Sequence, residues 1–372
     1  MLRHQKFYWH LELSSKCSLA CPRCPRTEKP GKFVVTELDL DFIQNVFTKE
    51  VIENTSKILI CGGQGDPIYC KELLEICEYL KIQKPDICLS IVTNGSYKTS
   101  EWWEKLASIL NKHDHVTFSI DGWDQESNNK YRVNSNFDSI TNGISTLRQN
   151  NKDVYITWST IVFSFNEQHL DRIQDLAQSY KVDNFNIVQS SLFGNQVPNY
   201  IDKDLGYDPL QPSDGYESKF SHSARDKRLG FTKRELPDTK WHTQMSEQVF
   251  SMSDFDNAPV YPLCLAGDRG LYIDAEGILY PCSWISHPFG QRTSKSGKKI
   301  LWNDSLFVKH KHEFNLRSKT LDDVLNSSYW NDIVDGWKDP MKTYVECENK
   351  CNLKTSLAKI NKRFGPRIEN VK

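Results

Sequence analysis

Cys17, Cys21 and Cys24 are spaced Cys-x3-Cys-x2-Cys, and three thiols so close in one loop can act together on a soft metal centre. A [4Fe–4S] cluster takes four ligands, normally thiolates. Three cysteines leave one iron with an open position, which is what a catalytic metal site keeps for its substrate. The plain alternative is a zinc knuckle short of its fourth ligand. Cys264, Cys282, Cys347 and Cys351 form a second set. Cys264 and Cys282 bracket a predicted hairpin, whose two flanks lie close together, and the Cys347-x3-Cys351 pair would complete a four-thiolate site. Taken alone, four cysteines suit structural zinc as well as an iron–sulfur cluster. Cys61, Cys70, Cys77 and Cys88 fall in or beside apolar strand and helix patterns, where a free cysteine behaves as a small hydrophobe.

The elements that must position these residues alternate strand and helix through the first half. Strands are predicted over 7–13, 57–61, 87–93, 115–120, 154–163 and 185–188, with helices over 38–47, 70–80, 102–110, 137–147 and 170–180 between them. The stripe Cys70, Leu73, Leu74, Cys77 and Leu80 marks one buried helical face, and Asn166 is placed to cap the helix carrying Leu170, Ile173 and Ala177. Such alternation means βαβ units and a parallel sheet. The pattern degrades between 191 and 260, a linker or insertion. It returns with Leu271–Ile273 and Ile278–Tyr280 around Asp274-Ala275-Glu276-Gly277, a hairpin with Gly277 left-handed. Thr320 and Asp323 have the spacing of a capping box.

At 372 residues the chain is longer than one hydrophobic core usually supports, so two domains are expected. Four regions follow: a core over 1–190, the insertion over 191–260, a cluster domain over 261–355 and a basic tail over 356–372. The formal charge of −1 gives no overall field toward nucleic acid or anionic lipid. The basic stretches 225–234 and 292–299 read as solvated loops. No apolar run approaches the length of a membrane span, and no hydrophobic signal core follows the first basic residues. A cytoplasmic protein is expected, with eleven reduced cysteines serving as ligands or apolar fillers rather than disulfides.

Through Cys17-Ser18-Leu19-Ala20-Cys21-Pro22-Arg23-Cys24 the chain resembles the radical S-adenosylmethionine (radical SAM) superfamily. Arg23 departs from the aromatic residue usual there. The likeness continues in order through Cys61-Gly62-Gly63-Gln64-Gly65-Asp66-Pro67, where Asp66 replaces the common Glu, and through Thr93-Asn94-Gly95, Ser119-Ile120-Asp121-Gly122 and Tyr131-Arg132. The resemblance implies a partial (β/α)6 barrel, with sites at the C-terminal strand ends. It implies a [4Fe–4S] cluster on Cys17, Cys21 and Cys24, and S-adenosylmethionine held by Gly62, Gly63, Gly65, Asp66, Thr93, Asn94, Ser119, Asp121 and Arg132. Ser119 and Arg132 would take its carboxylate.

Behind such a core, Cys264, Cys282, Cys347 and Cys351 resemble a twitch-type domain, a shortened SPASM domain carrying one auxiliary [4Fe–4S] cluster. The expected activity is reductive cleavage of S-adenosylmethionine to a 5′-deoxyadenosyl radical and hydrogen abstraction from substrate. The electrons would come from an external reductant such as flavodoxin or ferredoxin. A small polar substrate oxidised toward the auxiliary cluster is expected first, a peptide-modifying maturase second. From a different class, the alternative is a non-catalytic zinc-binding adaptor. The catalytic base is not identified: Asp124, Glu126 and His169 are candidates that fit a solvated surface as well.

Overall fold

The structure is a computed structural model that describes residues 7–28, 31, 33–189, 210, 271–286, 291–293, 299–301, 306–337, 343–344 and 346–347. Six strands come from the first half: β1 (Phe7–Leu11), β2 (Thr55–Ile60), β3 (Cys88–Thr93), β4 (His115–Ser119), β5 (Tyr155–Val162) and β6 (Asn184–Gln189). Each pairs in parallel with its predecessor, so the order along the sheet is the order along the chain. Parallel neighbours need a crossover, and helices supply it. After β1 come α1 (Pro25–Glu28), α2 (Leu40–Val46) and α3 (Lys49–Glu53). The later crossovers carry α4 (Leu73–Gln83), α5 (Ser100–Ile109), α6 (Gln125–Asn129), α7 (Phe137–Asn150) and α8 (Leu170–Ser179). Adding strands always on the same side curls the sheet toward a barrel, whereas a reversal of order would make a doubly wound sheet. The sheet does not close, and the architecture is a partial barrel.

Local sequence explains where the helices start. Side chains of Asp39, Thr48, Thr99 and Asn136 each accept a backbone N–H in the first turn of the helix they cap. The helices then bury one stripe each, Ile76, Cys77 and Leu80 on α4 and Trp103 and Leu106 on α5, in one core with the buried strand residues. At the N-terminal end of the sheet Lys81 and Asp114 form a buried ion pair (2.9 Å), and Asp114 also accepts N–H groups of Leu89 and Asn111.

Two local expectations change. Cys70 lies ahead of α4, buried behind the turn Pro67–Tyr69, so it is not on the helical stripe. Asn166 does not cap α8. Its amide donates to the carbonyls of Asp121 and Ile161, tying the β4 and β5 loops together at the rim.

The hairpin β7 (Leu271–Ile273) and β8 (Leu279–Tyr280) is antiparallel, and Gly277 has φ +87°, the left-handed geometry that glycine adopts without strain. Its first strand pairs in parallel with β1, matching Trp9 with Leu271 and Leu11 with Ile273, so β7 and β8 extend the barrel sheet beyond β1. A small two-stranded sheet of β9 (Gln291–Thr293) and β10 (Lys299–Leu301) follows, then α9 (Leu306–Lys309), α10 (Leu321–Leu325) and α11 (Ser328–Gly336). The Thr320–Asp323 capping box opens α10. Phe307, Phe314, Trp330 and Ile333 join the hairpin and the barrel strands in one apolar core. Among the described residues no helix is long and apolar enough to cross a membrane.

Candidate active site

The C-terminal ends of β1 to β4 and the loops after them enclose a cavity of about 290 Å³. Cys17, Cys21 and Cys24 form part of its wall, and Gly62, Gly63, Gly65, Asp66, Thr93, Asn94, Ser119 and Arg132 are among the other residues that line it. Segments more than a hundred residues apart in sequence thus meet around one space, because parallel strands bring all their C-terminal ends to one rim.

The cysteine loop leaves β1 and is pinned from both sides. The Cys24 N–H donates to the Cys21 carbonyl (3.0 Å), and Ala20 N–H reaches the carbonyl of Val133 (3.0 Å). The Cys17 sulfur accepts from Leu19 N–H (3.4 Å) and the Asn94 amide (3.7 Å). Donors aimed at sulfur favour the thiolate that a metal requires. Burial opposes them: it pushes the Cys17 thiol up to about 12, with the Asp66 charge adding, and raises Cys21 against the counteracting guanidinium of Arg132. Burial thus works against a bare thiolate at Cys17 and Cys21, and a bound metal would work the other way. Among the described residues no three His, Cys, Asp or Glu side chains are arranged to hold a single metal ion. The three cysteines share a cavity wall.

The glycine-rich turn after β2 is the tightest part of the wall. A Cβ on Gly62 would stand 2.1 Å from the carbonyl oxygen of Gly65, and one on Gly65 would stand 2.0 Å from that of Ser14. Only backbone fits there, which leaves peptide groups facing the cavity. Asp66 is buried and organises the next strand end. Its carboxylate accepts the Thr93 hydroxyl (2.8 Å), the Asn94 N–H (2.6 Å) and the Asn94 amide (2.6 Å). Burial raises its pKa while these donors counter the shift.

Arg132 reaches the cavity from the loop before α7, backed by Asp121 (Nε to Oδ2, 2.6 Å). Asp121 was expected among the cofactor contacts. It stands behind Arg132 and off the cavity wall, accepting the Ile161 N–H (2.6 Å) on its other oxygen. Burial raises its carboxyl, and Arg132 is the chief opposing influence. The site therefore carries a fixed cation held by a buried anion.

Several cavity residues were not anticipated from sequence. Cys61, read as an inert filler, lines the wall with Tyr131, Arg23 and Arg26. Its position at the last residue before two glycines was the available signal. Leu19, Tyr131 and Phe163 pack around Cys21 with Leu210 from the connecting segment, making an apolar collar beside the cysteines. Asp124 and His169 do not line the cavity: Asp124 caps α6 through Ser127, and His169 packs on Trp123 with ring centroids 4.3 Å apart. Glu126 sits in the first turn of α6, also off the wall. Of the second cysteine set, Cys347 is buried in the core and Cys282 packs against it, following β8. Cys264 and Cys351 lie outside the described residues, as do 225–234 and the basic tail.

Residues 11–178 match the family model of the Radical SAM superfamily. A search of curated protein sequences gave no match. Among solved structures the fold is similar to Streptococcus suis SuiB (15% identity, TM-score 0.54, covering 95% of this chain and 74% of that one). It is similar to the same protein bound to S-adenosylmethionine (16%, 0.50, 82% of this chain and 65% of that one) and to native anSMEcpe with bound AdoMet (14%, 0.52, 92% and 88%). Against S-adenosylmethionine-bound SuiB the chain spans less than two thirds of its relative's length. Residues 11–178, somewhat less than half of the chain, are therefore similar to the Radical SAM superfamily.

Proposed function

We propose that the chain cleaves S-adenosylmethionine reductively in this cavity and uses the resulting radical to take a hydrogen atom from a bound substrate. The observation that carries the reading is the meeting of Cys17, Cys21 and Cys24 with the Gly62–Gly65 backbone and Arg132 around one space. The three cysteines would hold a [4Fe–4S] cluster with one iron open. When bound, that cluster supplies the electron that splits the sulfonium into methionine and a 5′-deoxyadenosyl radical. The chain's own residues bind and orient. Arg132, kept charged and aimed by Asp121, would take the methionine carboxylate together with Ser119. The carbonyls of the glycine-rich turn would accept from its ammonium, and Asp66 would keep Thr93 and Asn94 in register beside them. Leu19, Tyr131 and Phe163 would shield the Cys21 side of the cavity with apolar surface.

The downstream cysteines Cys264, Cys282, Cys347 and Cys351 are proposed to hold an auxiliary [4Fe–4S] cluster that accepts an electron from the substrate radical. On this reading residues 261–355 carry the twitch-type function, 191–260 connect and 356–372 form a tail. Flavodoxin or ferredoxin would reduce the first cluster. For the substrate, a small polar molecule is the first reading. A peptide side chain is the second, favoured by one observation: SuiB, similar in fold (16% identity, TM-score 0.50), has been solved with its precursor peptide SuiA.

Anaerobic reconstitution tests the core of the proposal. Wild type should bind about eight irons as two clusters, and changing Cys17, Cys21 and Cys24 together to Ala should leave about four. Reduced wild type should release 5′-deoxyadenosine, and Cys21→Ala none. A Cys21→Ala protein that still cleaves the cofactor would overturn the assignment.

A further inference from the structure

Glu12 follows β1 and is wholly buried, yet it is not part of the cavity wall. One carboxylate oxygen accepts the N–H groups of Gln64 (2.6 Å) and Gly65 (2.8 Å). The other accepts the hydroxyl of Tyr272, which is also wholly buried and comes from β7, 260 residues later. The other end of the same turn is held by His10, whose Nε2 lies 2.7 Å from the Cys61 carbonyl. The His10 ring packs edge-on against Tyr272, centroids 4.7 Å apart. Tyr272 thus touches both side chains that grip the glycine-rich turn, one at Cys61 and one at Gln64–Gly65.

The turn has little freedom to find other partners. Its backbone already lies against β1's loop, with no room for a Cβ at Gly65. A buried N–H left without an acceptor costs the turn its native position, since the only relief is to swing toward the cavity or toward water. Burial raises the Glu12 carboxyl, and the donors from Tyr272, Gln64, Gly65 and Gly63 act against that shift. The group is enclosed at a desolvation cost, and its hydrogen bonds all go to the turn and to β7.

We propose that Glu12 is a positioning residue which, with Tyr272, fixes the glycine-rich turn for S-adenosylmethionine, so that the C-terminal hairpin sets the cofactor affinity of the barrel. The proposal rests on the cavity's being the S-adenosylmethionine site. It predicts an energetic link from a strand outside the radical SAM domain match to a ligand bound at β2.

The test compares full-length, anaerobically reconstituted wild type with Glu12→Ala, Glu12→Gln, Tyr272→Phe and Asp114→Asn. Two readouts serve: the equilibrium dissociation constant for S-adenosylmethionine, and the change it causes in the EPR spectrum of the reduced cluster. Glu12→Ala should weaken binding on the order of tenfold, and Tyr272→Phe about threefold, from the hydrogen bonds each removes. Glu12→Gln keeps an oxygen for the two N–H groups and an amide facing the tyrosine, so it should stay within about twofold of wild type. Asp114→Asn, in the ion pair at the opposite end of the sheet, should lower the melting temperature and leave the affinity unchanged. Wild-type affinity in iron-loaded Glu12→Ala or Tyr272→Phe overturns the positioning role alone, as does an equal loss in Asp114→Asn. If Glu12→Ala fails to hold iron, Tyr272→Phe decides by the same criterion. A wild type that binds no S-adenosylmethionine overturns this inference and the site assignment together.

Discussion

Replacing Arg132 by Ala exposes how the site stores its charge. Asp121 has no solvent exposure and Arg132 keeps 16%, with 2.6 Å between Nε and Oδ2. Removing one partner of such a pair typically costs about 3–5 kcal/mol, because the other is left buried and unpaired. Asp121 can escape part of that cost by taking up a proton. Burial already raises its folded pKa above that of the unfolded chain, and Arg132 is the first of the influences opposing the rise. In the variant the folded value must therefore climb further. An unfolded aspartate titrates near about 3.9, so above that pH the unfolded chain has released a proton that the folded variant retains. The unfolded state then binds fewer protons, and stability falls as pH rises, by about 1.4 kcal/mol per unit until the folded carboxyl ionises. The deficit of Arg132→Ala against wild type should be smallest in acid and grow with pH, approaching about 3–5 kcal/mol where Asp121 is ionised. Urea unfolding of anaerobic protein, followed by fluorescence of the buried Trp103 and Trp158 among the other tryptophans, measures it across pH 5.5–8.5. Adding Asp121→Asn to Arg132→Ala should flatten the pH dependence. A deficit that does not change with pH, or that Asp121→Asn fails to flatten, would refute the account of Asp121 as a buried anion held by Arg132.

Arg132→Ala should also weaken S-adenosylmethionine binding by about 1.5–3 kcal/mol, the range for a hydrogen bond to a charged group, read by equilibrium binding. Gly65→Ala places a methyl 2.0 Å from the Ser14 carbonyl oxygen, so the turn must move; cofactor binding should be lost while the folded content by circular dichroism stays near wild type. Changing Cys347 and Cys351 together should remove about four irons yet leave 5′-deoxyadenosine release intact, with little oxidised product. Product at the wild-type rate from a folded double variant would make the second cluster structural. Lys81→Ala should cost about 3–5 kcal/mol of stability with cofactor affinity unchanged, since Asp114 is then buried without its partner far from the cavity.

The strand–helix alternation was legible in the sequence because the strands are short segments rich in β-branched and aromatic residues that bury one face fully, and the helices between them bury one stripe each. Boundaries were less legible. Cys70 continued the apolar spacing of α4 yet stands before it, since Pro67 starts a separate turn there. Asn166 had the residue type of a cap, and tertiary contact claimed its amide for the β4 and β5 loops.

The cysteine triplet could be chosen from sequence because its spacing is a short local pattern of metal-binding residue types, whereas the glycine-rich turn and Arg132 were chosen through the family resemblance. Their convergence in one cavity follows from parallel topology, which collects the C-terminal ends of the strands. What local pattern could not give is anything that depends on partners distant in the chain. Asp121 moved from cofactor contact to support once Arg132 was seen in front of it, and Cys61 moved from core filler to cavity wall. Glu12 shows no motif at all. Its significance is decided by Tyr272, and that meeting exists only because β7 returns across 260 residues to pair with β1. Residue type and spacing determine what chemistry a chain can hold. Which buried charge answers to which distant donor is decided by folding, because only the closed core removes the water that would otherwise satisfy them separately.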